Sequence, residues 1–66
     1  MDEEFCDSLV RTIDTAHAIA ALLRAWHPSG DVNMRAVWGA AVRIEAQGET
    51  LTREAVTRYL ALETAI

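Results

Sequence analysis

The chain has 66 residues, a mass of 7.3 kDa, 52% hydrophobic residues and a net charge of −4. That length excludes an enzyme with a separate cofactor domain, and the hydrophobic content excludes a disordered polar tail. A domain of this size buries only about 60% of its unfolded surface, so it needs a disulfide or structural metal, efficient helix packing or a partner. The one cysteine, Cys6, allows no intrachain disulfide, which favours packing or a partner.

The apolar stretches and the first residues indicate where in the cell the protein is expected. The longest apolar stretches, such as residues 18–23, are too short to span a bilayer. The chain opens with Asp2, Glu3 and Glu4 rather than with the basic residues of a secretory signal. We therefore expect a soluble cytoplasmic protein with no membrane partner.

One proline and three glycines divide the chain into three stretches with helical periodicity, which predicts the all-α class. The first helix is predicted over residues 3–27, with acids near its N terminus and Pro28 as its stop. Its apolar side chains form one broad face: Phe5, Leu9, Ile13, Ala16, Ile19, Ala20, Leu23 and Trp26. A 3,4 repeat on the same helix spans three heptads, as in a coiled-coil seam: Cys6, Leu9, Ile13, Ala16, Ala20, Leu23 and His27.

The second and third helices are predicted over residues 34–47 and 52–65, with local caps. The expected caps are Asn33, or as second choice Asp31, before the second helix, Gly48 after it, and Thr52 before the third. The apolar positions of the second helix are Met34, Val37, Trp38, Ala41, Val42 and Ile44, with Trp38 assigned to the core. Those of the third are Ala55, Val56, Tyr59, Leu60, Leu62 and Ile66. The expected fold is a single helical domain over residues 1–66, a three-helix bundle with one long N-terminal helix and a shorter helical hairpin.

Four glutamates are predicted to form ion pairs. Glu45 and Glu63 fall inside apolar arcs, so we expect each to pair with Arg24 or with an arginine of a second subunit. Two further ion pairs are predicted at i,i+4 spacing: Glu49 with Arg53, and Glu54 with Arg58.

No set of residues indicates catalysis or a cofactor. Cys6 lies about 16 Å by helix rise from His17, too far for a thiol and imidazole pair, and is interpreted as a core residue. Asp14 and His17 share a face, and Glu45 could join them. The spacing brings together only the first two, which are too few ligands to indicate a metal site. His17 is interpreted as a flank residue and His27 as a C-cap. We expect no enzyme activity, no metal and no cofactor.

Residues 37–60 read VWGAAVRIEAQGETLTREAVTRYL. The pattern Gly48-x3-Thr52-x3-Val56-x3-Leu60 resembles the N-terminal helix-turn-helix segment of KfrA-type plasmid DNA-binding proteins. The resemblance implies that the third helix enters the major groove. It implies contacts from Thr52, Arg53, Thr57 and Arg58, with Arg35 and Arg43 near phosphate. Six arginines against ten acids oppose DNA binding, because affinity for DNA comes largely from neutralised phosphates.

The length of the first helix favours a protein partner. It would be about 37 Å long against about 21–23 Å for the others, so about ten of its residues lack cover. We predict a small protein-interaction module, an accessory or inhibitory factor, that forms a homodimer through this helix or binds another protein. The interface candidates are Leu9, Val10, Ile13, Ala16, Ala20, Leu22, Leu23, Trp26 and Glu45. Replacing Ala16 and Ala20 together by Glu is predicted to break the dimer. The alternative is a helix-turn-helix transcriptional regulator that binds DNA.

Overall fold

The computed structural model describes residues 3–64, except for the side chain of Phe5. It confirms the all-α class, since within these residues there are three helices and no strand. They are α1 (Glu3–Trp26), α2 (Met34–Gln47) and α3 (Arg53–Thr64). The predicted contributions of Asp2, of the Phe5 side chain, and of Ala65 and Ile66 to the third helix lie outside the described residues.

The first helix ends at Trp26, one residue before its predicted end. The His27 N–H still donates to the Leu23 carbonyl at 2.8 Å, and Pro28 follows. A residue before proline is pushed out of helical geometry, which accounts for this end. The Gly30 N–H then donates to the His27 carbonyl at 3.0 Å, so the chain turns toward α2.

The caps of α2 are the predicted ones. The Asn33 side chain accepts a hydrogen bond from the Ala36 N–H at 3.2 Å. Gly48 has φ of 65°, in the left-handed region that glycine adopts without steric cost. Its N–H donates to the Glu45 carbonyl at 3.2 Å, which satisfies one of the last carbonyls of the helix.

Thr52 is the N-cap of α3, as predicted. Its Oγ1 accepts from the Ala55 N–H at 3.1 Å, and its carbonyl accepts from the Val56 N–H at 3.0 Å. The helix therefore begins at Arg53, one residue later than the predicted range. Both ends of the turn between α2 and α3 are fixed by hydrogen bonds within a few residues.

The second helix is the centre of the molecule, because it packs against α1 on one side and against α3 on the other. The buried apolar residues are small or β-branched: Ala16, Ile19, Ala20, Ala36, Val37, Ala40, Ala41, Ile44, Ala55 and Val56. Alanines at the contacts let the helix axes approach closely. Larger side chains close the edges of this core: Leu22, Leu23, Trp26, Val32, Leu51, Tyr59 and Leu60.

Several residues assigned to the core lie at the surface instead. Trp38, Met34, Val42 and Leu62 are exposed, and so is Cys6. A helical wheel shows which residues share a face, but it does not show where the neighbouring helix ends. The contacts of α2 with its neighbours are made by its alanines together with Val37 and Ile44, and Met34, Trp38 and Val42 lie outside them.

Candidate protein-interaction surface

The first half of α1 extends beyond the core. Thr15 is the first buried residue of the helix, and no residue from Glu3 to Asp14 is buried, Phe5 aside. We call this segment, Glu3–Asp14, the arm. Among the described side chains of the arm, the large apolar ones are Leu9, Val10 and Ile13, and each is between 40% and 55% exposed.

The apolar stripe of the arm continues directly into the core. Leu9, Ile13, Ala16 and Ala20 are spaced by four, three and four residues, so they lie along one face of α1. Ala16 is 1% exposed and Ala20 is 3% exposed, whereas Leu9 and Ile13 are exposed. One half of a single stripe is therefore covered within the chain, and the other half is open.

Acidic residues border the open half. The arm contains Glu3, Glu4, Asp7 and Asp14 against Arg11, which gives it a charge of −3. Asp7 and Asp14 lie three residues before and four residues after Val10, so they flank it on the same face. The arm therefore presents an apolar strip with an acidic edge.

The second helix carries another exposed apolar strip, which the sequence analysis missed. Met34, Trp38 and Val42 follow each other at intervals of four residues and are between 40% and 53% exposed. We call these three residues the α2 stripe. Arg35 is exposed and precedes Trp38 by three residues, so a positive charge lies beside the stripe. The width of the apolar arc of α2 could have indicated this strip, because the arc is wider than the contacts with α1 and α3 can cover.

Five of the eight apolar residues predicted for the interface are engaged within the chain. Ala16 and Ala20 belong to the buried core, which removes them from the candidate surface. Glutamates at those two positions would disrupt the fold and could not test a dimer. Leu22, Leu23 and Trp26 are half-buried and pack against the core from its edge. Leu9, Val10 and Ile13 remain as the exposed candidates.

The two glutamates in apolar arcs have partners within the chain other than Arg24. Glu45, the remaining interface candidate, is half-buried and accepts a 2.5 Å hydrogen bond from the Thr15 hydroxyl of α1. Glu63 of α3 pairs with Nε of Arg43 on α2 at 2.6 Å. Its carboxylate lies over Gly39, where an added Cβ would collide with it. Each acid thus links two helices.

The arginines proposed to contact DNA are largely occupied by other side chains. The Arg53 guanidinium stacks over the Trp26 ring, 5.0 Å from its centroid. Arg58 donates from Nη2 to Glu49 at 2.8 Å, a different pairing from the predicted Glu54–Arg58 and Glu49–Arg53 pairs. Arg43 is held by Glu63, and Thr52 is used as a cap. Of the remaining candidates, Thr57 and Arg35 are exposed.

The described residues, 3–64, also bear on metal binding and membrane insertion. Between residues 3 and 64, no three His, Cys, Asp or Glu side chains are grouped so that they could hold a metal ion, which includes Asp14, His17 and Glu45. None of the helices described in that range is both long and apolar enough to cross a membrane.

No family model, curated protein or solved structure matches this chain. The resemblance of residues 37–60 to KfrA-type proteins therefore stays a prediction. Inferences about function rest on the two exposed strips and on the charges beside them.

Proposed function

We propose that this chain is a small protein-interaction module, an accessory or inhibitory factor without catalytic activity, that self-associates through the arm of its long first helix. One observation carries the proposal. The face of α1 that forms the core through Ala16 and Ala20 continues along the arm as Leu9 and Ile13, which neither α2 nor α3 buries. An exposed continuation of a core face is typical of a surface that another chain covers.

The apolar side chains of the arm are enough for a weak association. Full burial of a Leu, Ile or Val side chain contributes about 1.5–3 kcal/mol, and about half of each is still open to solvent. Three such side chains from each of two chains give about 5–9 kcal/mol, against an association cost of about 4–15 kcal/mol. The arm alone therefore supports a dimer only near the limit of stability.

Molar mass in solution tests the proposal directly. Light scattering on a sizing column, over a tenfold concentration range, is expected to show a mass that rises above 7.3 kDa toward twice that value. The variant Leu9→Glu/Ile13→Glu is expected to stay at the monomer mass. Ala61→Glu/Leu62→Glu adds the same charge on exposed positions of α3 and serves as the matched control. A wild-type mass of 7.3 kDa at every concentration would refute self-association.

DNA binding by a helix-turn-helix remains the second candidate function. It is favoured by the arrangement of Arg53, Thr57 and Arg58 along one exposed side of α3, which also carries Glu54, after a turn closed by Gly48. Against it stand the acids that hold Arg43 and Arg58, and the net charge of −4. This alternative predicts retention on duplex DNA that falls steeply as salt rises and is lost in Arg53→Ala/Arg58→Ala. No retention at low salt would eliminate it.

A further inference from the structure

We propose that the arm of one copy docks on the α2 stripe of a second copy, and that the second copy returns the same contact. This inference rests on the proposed self-association and specifies which surface the arm meets. The dimer would then contain two equivalent contacts related by a two-fold axis.

The course of α1 prevents the arm from covering the stripe of its own chain. α1 and α2 run antiparallel, because a short loop joins the end of α1 to the start of α2 and Thr15 contacts Glu45 at the far end. The arm therefore leaves the body of the molecule where α2 ends. Met34 and Trp38 lie at the opposite end of α2, so a straight arm can reach such a stripe only on another molecule.

The arm and the stripe are compatible in length. The arm spans 12 residues, Glu3 to Asp14, or about 18 Å of helix. The stripe runs over nine residues of α2, 34–42, or about 13 Å. A helix laid along this segment would cover the whole stripe, and both surfaces are apolar strips on helices.

The charges also match. A contact between two arms would bring together two segments of charge −3, with acids beside Val10 on each. Residues 34–42 of α2, which contain the whole stripe, carry Arg35 and no acid, which gives +1, whereas Arg43 just beyond them is already paired with Glu63. Arg35 lies next to the stripe, where the acidic edge of an arm would meet it. Opposite charges at a contact favour this pairing over the symmetric pairing of arms.

The number of residues that would be buried also favours the reciprocal contact. A standard interface takes about 20–30 residues from each partner. A seam between two arms would use one face of a 12-residue segment from each chain. The reciprocal contact uses the arm and the α2 stripe of both chains, which doubles the number of buried apolar side chains. It also covers both exposed strips at once.

Three variants with the same charge change separate the possibilities by sedimentation equilibrium. They are the arm variant Leu9→Glu/Ile13→Glu, the stripe variant Trp38→Glu/Val42→Glu, and the control Ala61→Glu/Leu62→Glu. We expect the arm and stripe variants to raise the dimer Kd at least tenfold and the control to raise it less than about threefold. Far-UV circular dichroism is expected to show wild-type helicity in all three, because every substituted position is exposed.

Mixing the arm variant with the stripe variant provides the decisive measurement. A mixed dimer keeps one intact contact, between the unchanged arm of one chain and the unchanged stripe of the other. The mixture is therefore expected to dimerise more tightly than either variant alone. If both variants weaken the dimer but mixing restores nothing, the reciprocal contact is refuted.

Two other outcomes distinguish this inference from the proposed function. A stripe variant that dimerises like the wild type, beside an arm variant that does not, would overturn the docking on α2 and leave self-association through the arm. A wild-type chain that is monomeric throughout would overturn both. Arg35→Glu offers a further test without touching an apolar residue. It is expected to raise the Kd more than threefold at low salt, with a smaller effect at moderate salt, and an unchanged Kd would contradict the charge match.

Discussion

The hydroxyl of Thr15 donates a 2.5 Å hydrogen bond to Oε1 of Glu45, across the contact between α1 and α2. Thr15 is buried, and among the described side chains of α1 it is the first that is. The bond therefore lies where α2 stops covering α1 and the arm begins. It links the two helices at this boundary.

Replacing Thr15 by Val should destabilise the chain by about 1–2 kcal/mol, because a half-buried carboxylate loses its donor while the shape of the side chain is retained. Urea denaturation measures this change. The matched control is Thr12→Val, since the Thr12 hydroxyl bonds only to the Ser8 carbonyl of its own helix at 3.0 Å. The control should change stability by less than about 0.5 kcal/mol. Equal losses in the two variants would show that the bond to Glu45 contributes nothing.

The helices and their caps could be predicted because capping is local. Asn33 and Thr52 each accept from an N–H three residues later, and Gly48 needs only its own backbone conformation. These interactions require no knowledge of the rest of the fold. The residue types and their spacing were therefore sufficient.

The side-chain partners could not be predicted, because they depend on how the helices pack. Glu49 reaches Arg58 rather than Arg53, since Arg53 turns to stack on Trp26 at the end of α1. Trp38 was assigned to the core by size, but the contacts of α2 are filled by its alanines, Val37 and Ile44, and the indole remains outside. Both outcomes are set by interhelical spacing, which no single helix encodes.

The effect of Gly39→Ala on stability should depend on the Glu63 carboxylate that lies over Gly39. An alanine in the middle of a helix is about 1 kcal/mol more favourable than a glycine. In the wild type, Gly39→Ala also displaces Glu63 from Arg43, a surface pair worth about 0–1 kcal/mol, so the net change should be near zero. In the Glu63→Ala background the same substitution should stabilise by about 1 kcal/mol. A double-mutant cycle by thermal denaturation measures the difference, and strict additivity would contradict the close approach.

Ala16 should not tolerate a larger side chain. It is buried at the contact with α2, and extra carbon atoms in a filled helix contact cost about 1–3 kcal/mol. Ala16→Val is therefore expected to destabilise by that amount beyond the loss of helix propensity. Ala21→Val on an exposed position of the same helix has the same propensity cost and serves as the control. Denaturation curves that coincide for the two variants would mean that α1 does not pack on α2 through this alanine.

Gly48 should be sensitive to substitution for a conformational reason alone. Its φ is 65°, and an added Cβ would meet no atom within 4 Å, so any loss of stability must come from the left-handed backbone. That conformation costs an L-residue roughly 1–2 kcal/mol, so Gly48→Ala should lower the free energy of unfolding by about 1 kcal/mol. Gly48→Asn should lower it less, because asparagine adopts this conformation more readily. Gly30→Ala is the control: its φ is not positive, and its added Cβ would make only ordinary contacts with His27 at 3.5 Å. If Gly30→Ala and Gly48→Ala were equally destabilising, the left-handed cap would not be what holds the turn between α2 and α3.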